Sequence, residues 1–355
     1  MGEDFEVVLK QKRKLVWPEI NKYLESPLTL SGKLKISSKY FPLIKFHRQL
    51  FSEYPQRMGK YIRPTLVLLT AQAMGFPQKK ALKTAAAMQV SEDWILNHDD
   101  IEDDSLERRG KPALHRLYGQ ELAINAGDAL HILMWRMLWD NRKVVGERKA
   151  VLIAQEFFQM LMRTTLGQTA EIKWTKENKQ NLTDRDIFFI LDGKTTYYTI
   201  AGPMRLGAIL AGATKKQLEA IYEFGQPLGR CFQIIDDLLD LTSDFRGLKK
   251  QVGNDIYEGK RTLMLRHLFQ TIRGQDRKKL ILIMAKNREQ KTSAEVKWVI
   301  KKMKEFGSLE YGRLTARRLV HQAKKTFAQK LPFLSRQPAR VQLESAIDFI
   351  LKRDY

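Results

Sequence analysis

Two clusters of aspartates are the residues in this sequence most suited to chemistry. In the first, Asp99, Asp100 and Asp103 stand at positions i, i+1 and i+4. On a helix these positions point within about a quarter-turn of one another. Carboxylates so close repel unless they are exposed or neutralised by cations, and magnesium that also binds substrate phosphates is a suitable cation. A solvated acidic helix face would give the same pattern, so this cluster alone decides little.

The second cluster repeats the spacing in different surroundings. Asp236, Asp237 and Asp240 lie in the apolar run FQIIDDLLDL. Ionised carboxylates that are buried without partners cost several kcal/mol each, so metal ions or basic partners are required here. The repeat therefore favours a metal site over an acidic surface.

Basic residues near both clusters suggest a polyanionic ligand. If two metal-binding faces meet on one cavity, diphosphate is the natural ligand to complete the magnesium shells. Arginine binds phosphate through a planar fork and lysine as a point charge, so both types are expected. The candidate cations are Lys60, Arg63, Arg108, Arg109, Lys194, Lys250 and Lys260.

The elements that position these residues are predicted to be helices. Apolar residues recur three and four positions apart, as in Val296, Val299, Ile300 and Met303. No long linker or internal repeat interrupts this pattern. We expect an all-α fold, with one helical domain over residues 1–355. Its catalytic core covers about 40–307, and a basic helical extension covers about 308–355.

Composition excludes several other classes of protein. The 355 residues include 43% hydrophobic types and a single cysteine, Cys231. One cysteine cannot form a disulfide framework or a thiolate metal cluster and suits a reducing compartment. No secretory signal is recognisable, and polar residues interrupt the most apolar stretch, 122–139. We therefore expect a cytoplasmic protein.

The net charge of +22 could indicate nucleic acid, anionic lipid or phosphorylated substrates as partners. The basic residues form short groups at helical spacing, which favours solvated helix faces. No nucleic-acid-binding motif accompanies them. We expect no nucleic-acid partner, and peripheral contact with a membrane stays open.

The ordered motifs from Gly59 to about Leu265 resemble those of the polyprenyl synthase family, the trans-isoprenyl diphosphate synthases. They are GKYIRP, HDDIEDDSLERRGKPALH, AGDAL, GKTTYYT, FQIIDDLLD and GNDIYEGKRT. The resemblance implies an isoprenoid synthase bundle whose central cavity is lined by two aspartate-rich helices. It also implies a homodimeric, magnesium-dependent prenyltransferase with three ions per site, which joins isopentenyl diphosphate to an allylic diphosphate.

The same resemblance implies a role for each motif residue. Magnesium bridged to the allylic diphosphate would be bound by Asp99, Asp103 and Asp236. Support for these ligands, directly or through water, would come from Asp100, Asp237 and Asp240. The allylic diphosphate would also contact Arg108, Lys194 and Lys260. The isopentenyl diphosphate pocket would contain Lys60, Arg63 and Arg109. Thr195 and Gln233 would be the polar groups near the developing carbocation. Lys250 would match a basic position that varies within the family.

Glu92 departs from the family pattern, which usually has His or Gln at this position. Its carboxylate lies seven residues before Asp99 and so on the same helix face. A carboxylate in the isopentenyl diphosphate pocket should repel that substrate. Pairing with Lys60 or Arg63, or protonation, would relieve the repulsion.

Two residues upstream of the first cluster bear on product length. In the family, bulky residues five and four positions before the first aspartate limit chain growth, and here these are Trp94 and Ile95. They resemble the geranylgeranyl type, with farnesyl diphosphate as the alternative product. An ordinary core position is the competing interpretation of Trp94.

Three other functions remain to be compared with this one. A terpene cyclase usually has a different metal motif in place of the second DDxxD, and a head-to-head synthase would lack GKYIRP and RRG. A non-catalytic regulatory subunit of a heteromeric synthase is the alternative from a different class. Glu92 is the one feature that favours it.

Overall fold

The computed structural model describes residues 4–26, 37–242 and 252–351, so Lys250 lies outside the described residues. Within these ranges the chain is helical apart from one short hairpin, which confirms the all-α prediction. The α-helices are α1 (Phe5–Glu25), α2 (Phe41–Gln56), α3 (Ile62–Ala73), α4 (Gln78–Glu102), α5 (Leu114–Tyr118), α6 (Gln120–Val145), α7 (Glu147–Lys176), α8 (Asp184–Leu191), α9 (Gly202–Leu210), α10 (Lys215–Thr242), α11 (Asn254–Glu258), α12 (Leu263–Thr271), α13 (Gly274–Ala285), α14 (Ser293–Glu305), α15 (Ser308–Lys330) and α16 (Ala339–Leu351). Strands β1 (Glu107–Arg108) and β2 (Lys111–Pro112) form the hairpin. Short 3₁₀ turns cover Ser38–Tyr40 and Arg288–Gln290, and a π-helix covers Asp192–Ala201.

The chain forms two compact units. The first contains the described residues within 1–156, 203–213 and 333–343, and the second contains those within 157–202, 214–332 and 344–355. The single-domain assignment stays a prediction. In the described part of the chain, every helix is too short or too polar to cross a membrane.

In the first unit, α4 is the central element and packs against α1, α3 and α6. Its middle turns bury the small residues Ala85, Ala86 and Ala87, which let neighbouring helices approach closely. At its C-terminal end, the Asn97 amide donates to the Ala123 carbonyl on α6 at 2.8 Å. This contact fixes the end of α4, where the first aspartate cluster lies.

In the second unit, α10 has the corresponding position and packs against α15 and the π-helix. Gly225 and Gly229 permit close approach, because a Cβ atom on either glycine would lie 2.7 Å from the π-helix backbone or side chains. On α15, Leu319 and Phe327 are buried, so this part of the predicted basic extension is an amphipathic helix that packs on α10.

The π-helix sets the positions of two predicted site residues, Lys194 and Thr195. It crosses α7 where Gly167 meets Gly193, with backbones so close that a Cβ atom on Gly167 would lie 2.3 Å from the Lys194 nitrogen. Such i→i+5 segments are rare and frequently occur at functional sites. The glycine contact holds the Lys194 backbone against α7.

We predict that Gly167→Ala destabilises the protein by about 1–3 kcal/mol, because the added methyl group would collide with backbone atoms that cannot rotate away. Urea unfolding followed by circular dichroism measures the change. Thr169→Ala, at an exposed position of the same helix, is the matched control and should stay within about 0.5 kcal/mol of the parent. Equal stability of the two variants would contradict the importance of the crossing.

Candidate active site

Asp100 is fully buried and held by two partners in the first unit. Arg108 Nε lies 3.0 Å from both carboxylate oxygens, and its Nη2 forms a further short contact. The Tyr54 hydroxyl donates to the other side of the carboxylate at 2.5 Å and accepts from the Leu114 backbone nitrogen at 3.1 Å. Burial and the nearby Asp100 raise the pKa of Tyr54, so it remains a hydrogen-bond donor. Asp100 therefore anchors the Arg108 guanidinium.

Asp99 and Asp103 remain on the more accessible side of the same helix end. Both are half-buried, and Arg108 Nη2 lies 3.7 Å from Asp99 Oδ2. Asp99 is in the last turn of α4, and Asp103 directly follows that helix. Burial lowers the pKa of Arg108, but Asp100 and Asp99 outweigh it and raise the pKa overall, so the guanidinium stays charged beside Asp99.

The carboxylate donors fit magnesium. Asp99 and Asp103 lie one turn apart, and Asp236 is exposed on α10. Among the residues described here, no three acidic, histidine or cysteine side chains form a complete metal site by themselves. Magnesium is commonly held by only one or two carboxylates, with water and substrate phosphates as its other ligands. All-oxygen donors of this kind match that preference.

Glu92 is paired with the cations of the predicted isopentenyl diphosphate pocket. Its Oε2 lies 3.1 Å from Arg63 Nη1 and its Oε1 lies 3.6 Å from Arg109 Nη2. Glu92 as a whole residue is only 8% exposed. The sequence suggested that pairing with Arg63 would relieve the repulsion between Glu92 and a diphosphate, and this ion pair is present in the structure. Lys60 is exposed.

Asp93 is a further acid in this pocket, and the sequence analysis did not single it out. It is fully buried, accepts from Arg109 Nη1 at 2.8 Å and accepts from Gln89 Nε2 at 3.3 Å. Burial raises its pKa to about 6, although Arg109 opposes this shift. Arg109 also donates to the Tyr54 carbonyl at 2.9 Å. The arginine is thus fixed by neighbours on two other elements.

Gly59 provides the space for this arginine. A Cβ atom on Gly59 would lie 2.8 Å from Arg109 Nη2. The glycine of GKYIRP thus has a direct packing role beside the cationic pocket, in addition to any flexibility it gives the turn.

Trp94 stacks on His131 of α6, with ring centroids 4.1 Å apart and planes inclined by 16°. Trp135 Nε1 donates to His131 Nε2 at 2.8 Å, which fixes the imidazole from its other end. Trp94 and Ile95 are both half-buried. The tryptophan is therefore rigidly placed within the first unit.

In the second unit, a cavity of about 440 Å³, including its part open to solvent, brings together five of the predicted site residues: Lys194, Thr195, Gln233, Asp237 and Lys260. Its polar lining consists of Glu171, Lys194, Thr195, Gln233, Asp237, Asp255, Lys260, Arg261 and Thr262. Three apolar side chains, Ile187, Ile190 and Leu191, complete the wall. A polar site with one apolar side suits a ligand that has an anionic head and a hydrocarbon tail.

A hydrogen-bonded chain crosses this cavity. Thr195 Oγ1 donates to Gln233 Oε1 at 3.0 Å, and Gln233 Nε2 donates to Asp237 Oδ1 at 2.7 Å. Burial raises the pKa of Asp237 to about 7, and the Gln233 hydrogen bond and Lys260 oppose this shift. A divalent cation nearby would favour the ionised carboxylate. Gln233 is oriented from both ends of its amide.

The cavity lysines are balanced by carboxylates. Lys194 Nζ lies 2.5 Å from Glu171 Oε2. Lys260 Nζ lies 2.6 Å from Glu258 Oε2 and 3.9 Å from Asp255 Oδ1. Burial and neighbouring acids raise the pKa of Asp255 well above its usual value. These acids hold the lysines in place and also compete with an anionic ligand.

Asp240 differs from the other members of its cluster. Its two carboxylate oxygens accept from the backbone nitrogens of Asn254 and Asp255 at 3.2 and 3.0 Å. Its carboxylate therefore caps the start of α11, where anions are favoured by the helix dipole. Asp240 positions the segment that leads to Lys260.

The model of the polyprenyl synthetase family matches residues 45–303. The chain belongs to this family. As a family member it is a prenyltransferase, and the prediction of that enzyme class is confirmed.

Relatives agree with this placement. The short chain isoprenyl diphosphate synthase of Methanothermobacter thermautotrophicus is 34% identical over 299 residues, which cover 84% of this chain and 87% of the relative. The geranylgeranyl diphosphate synthase of Methanosarcina mazei is 30% identical over 300 residues, with coverage of 84% and 86%.

Solved structures of the family share the fold. Geranylgeranyl pyrophosphate synthetase from Pyrococcus horikoshii has a TM-score of 0.83 at 26% identity, and the match covers 99% of this chain and 98% of that one. The Corynebacterium glutamicum geranylgeranyl pyrophosphate synthase, complexed with isoprenyl diphosphate and magnesium, has a TM-score of 0.85. That match covers 98% of this chain and 99% of that one, but at 22% identity it shows the fold alone.

Several residues of this family member were not found by sequence reasoning. They are Tyr54, Asp93, Glu171, Asp255, Glu258 and Arg261. Asp93 is adjacent to Glu92, and Asp255, Glu258 and Arg261 lie within GNDIYEGKRT, so proximity to the motifs was an available signal. Tyr54 and Glu171 offered none, because their partners are distant in sequence.

Proposed function

We propose that the chain joins isopentenyl diphosphate head to tail with an allylic diphosphate, and that geranylgeranyl diphosphate is its main product. The observation that carries the proposal is the cavity in which Lys194, Lys260 and Asp237 lie beside the Thr195–Gln233 pair. Family membership supports diphosphates as its ligands. The relatives' products support the product assignment.

In the proposed reaction, Lys194 and Lys260 hold the allylic diphosphate as its carbon–oxygen bond breaks and the electron pair leaves with the diphosphate. The Thr195 hydroxyl and the Gln233 carbonyl present oxygen atoms to the developing cation. The double bond of isopentenyl diphosphate then forms the new carbon–carbon bond, and the released diphosphate accepts the proton that is lost. Preorganised dipoles and exclusion of water are the protein's main contributions.

Magnesium is proposed to be held by Asp99, Asp103 and Asp236, with three ions per active site. Bound magnesium would neutralise charge on the departing diphosphate. Asp100 and Asp237 would act mainly through Arg108 and Gln233, because these are their hydrogen-bond partners. Asp240 would act through the backbone of α11.

Isopentenyl diphosphate is proposed to bind at Lys60, Arg63 and Arg109. Arg63 and Arg109 already contact Glu92, so the incoming diphosphate must compete with that carboxylate. The exposed Lys60 adds a further positive charge to the pocket. Binding here is therefore expected to be weaker than in relatives with a neutral residue at position 92.

We also propose that the protein is a cytoplasmic homodimer. Large apolar side chains are exposed along α7 at helical spacing, namely Val151, Phe158, Met162 and Leu166. On α6, Ile132 and Trp139 are likewise exposed and lie two turns apart. Large apolar side chains exposed in a row along one helix typically mark a protein interface.

Activity should require both aspartate clusters. We expect Asp99→Ala and Asp236→Ala each to lower turnover by about 100-fold or more, because each would remove a ligand of the charge-neutralising metal. Mass spectrometry of products from isopentenyl diphosphate, allylic primers and magnesium measures this.

Glu219→Ala, at an exposed position of α10, is the control and should retain parental rates. Near-parental turnover by either aspartate variant in a folded sample would refute the proposed roles. Wild-type protein without turnover on any primer would favour the regulatory-subunit alternative.

Replacement of Glu92 by Gln or His should lower the KM for isopentenyl diphosphate by about threefold to tenfold, since it releases Arg63 from an ion pair. The KM for the allylic substrate should change little. Initial rates with each substrate varied in turn measure both constants. An unchanged or higher KM for isopentenyl diphosphate would show that Glu92 is useful where it stands.

Trp94→Ala should shift products beyond twenty carbons, because loss of the stacked indole opens space at the proposed end of the hydrocarbon path. Chromatography of dephosphorylated products measures the distribution, and thermal unfolding measures stability. Trp298→Ala on α14 serves as the control for loss of an indole elsewhere. Lower stability with an unchanged product would assign Trp94 to the core alone.

A further inference from the structure

Arg261 is a buried cation in the wall of the second-unit cavity. Arg261 is only 4% exposed, and it lines the cavity beside Lys260 and Thr262. It directly follows Lys260 of the GKRT segment, but neither the motifs nor the relatives' names assign it a role. Its environment therefore has to explain why an arginine is tolerated there.

All hydrogen-bond partners of this guanidinium are neutral. Nε donates to the Lys179 carbonyl at 2.9 Å, Nη2 donates to Asn178 Oδ1 at 2.7 Å, and Nη1 donates to the Gly259 carbonyl. Arginine has five N–H groups, so these three bonds leave two of them available.

The other charged groups of the cavity are already engaged with one another. Lys194 pairs with Glu171, Lys260 pairs with Glu258, and Asp237 accepts from Gln233. Across the described ranges, no carboxylate forms an ion pair with Arg261. The cavity wall thus contains one cation, Arg261, that has no ion pair with a carboxylate among the described residues.

Two pKa shifts agree with the absence of an acidic partner for Arg261 in the described part of the chain. Burial lowers the pKa of Arg261 to about 10. Lys291 lies nearby, with its Nζ donating to the Tyr257 carbonyl at 2.8 Å. Burial and then the charge of Arg261 lower the pKa of Lys291 to about 8. A buried, uncompensated cation is costly, and proteins retain one mainly where a ligand supplies the opposite charge.

We propose that Arg261 is a diphosphate-binding residue whose charge is balanced by the diphosphate group that occupies this cavity. The inference rests on the proposed function for the identity of that group. It adds a fixed, planar phosphate donor beside the two lysines, each of which must leave a carboxylate to bind an anion fully. Arg261 has no such partner to leave.

A purely structural role is the alternative. The three bonds of Arg261 tie Gly259 to Asn178 and Lys179, so loss of the side chain could loosen this segment. The two roles predict different results when the charge at position 261 is removed by substitution. A structural tie predicts lost stability with unchanged anion affinity, whereas a binding role predicts weaker anion binding and a smaller stabilisation by the ligand.

The test measures binding of inorganic pyrophosphate with magnesium to the full-length chain by calorimetry, with thermal unfolding recorded with and without the ligand. Arg261→Gln should weaken pyrophosphate binding at least tenfold, and Arg261→Lys should stay within threefold of the parent. Arg266→Gln is the matched control, because Arg266 is a shielded arginine of the same unit whose Nη1 lies 3.0 Å from Asp184 Oδ1. It should lose stability but keep its pyrophosphate affinity.

Pyrophosphate affinity of Arg261→Gln within twofold of the parent would overturn the proposal, whatever its stability. If that variant does not fold, Arg261→His takes its place: its affinity relative to the parent should fall at least fivefold between pH 6 and pH 8.5, and a constant ratio would overturn the proposal. Failure of the parent to bind pyrophosphate would also overturn it. A parent that binds pyrophosphate but makes no prenyl product would refute the proposed function and leave the role of Arg261 supported.

Discussion

Repulsion between neighbouring carboxylates is the constraint to which both aspartate clusters are adapted. Three acids on one helix end cannot all be ionised at low cost unless each has a different environment. In the first cluster, Arg108 and Tyr54 bind the carboxylate of Asp100, which is fully buried. The negative charge of Asp100 is therefore compensated separately from those of its two neighbours. Asp99 and Asp103 are then left on the accessible side of the helix end. The spacing that looks like three equivalent ligands in sequence thus contains one anchor and two candidates for the metal.

The second cluster meets the same constraint with different partners. Asp240 is used as a helix cap, Asp237 is held by an amide and Asp236 is exposed. The amide partner is informative, because Gln233 turns its Nε2 toward Asp237 and its Oε1 toward Thr195. Its carbonyl must accept from the threonine, which fixes the orientation of the Thr195 hydroxyl. The polarity of the cavity wall is therefore determined by where one carboxylate is buried.

Sequence patterns predicted the helices, the motif residues and the family because these depend on periodicity and on order along the chain. They could not predict partners that tertiary packing brings together. Asp100 meets Tyr54 across 46 positions, and Lys194 meets Glu171 across 23. The close approach of the π-helix to α7 was likewise not predictable, since it joins Gly167 and Gly193 from two different elements. Glu92 was recognised as unusual, but its pairing with Arg63 only became clear from the packing of α3 on α4.

Arg261 differs from Arg63 and Arg109 in having no acidic partner within the residues that the structure describes, and this bears on how the proposed substrates would bind. In the first unit, Arg63 and Arg109 are paired with Glu92 and Asp93, so an arriving diphosphate must displace internal ion pairs. In the second unit, Arg261 has no acidic partner among the described residues, so the diphosphate that reaches it displaces none from that side chain. The free-energy cost of burying the charge of Arg261 is already met in part when the protein folds. Within the cavity of the second unit, a diphosphate should therefore gain most from Arg261, because Lys194 and Lys260 must each leave a carboxylate to bind it.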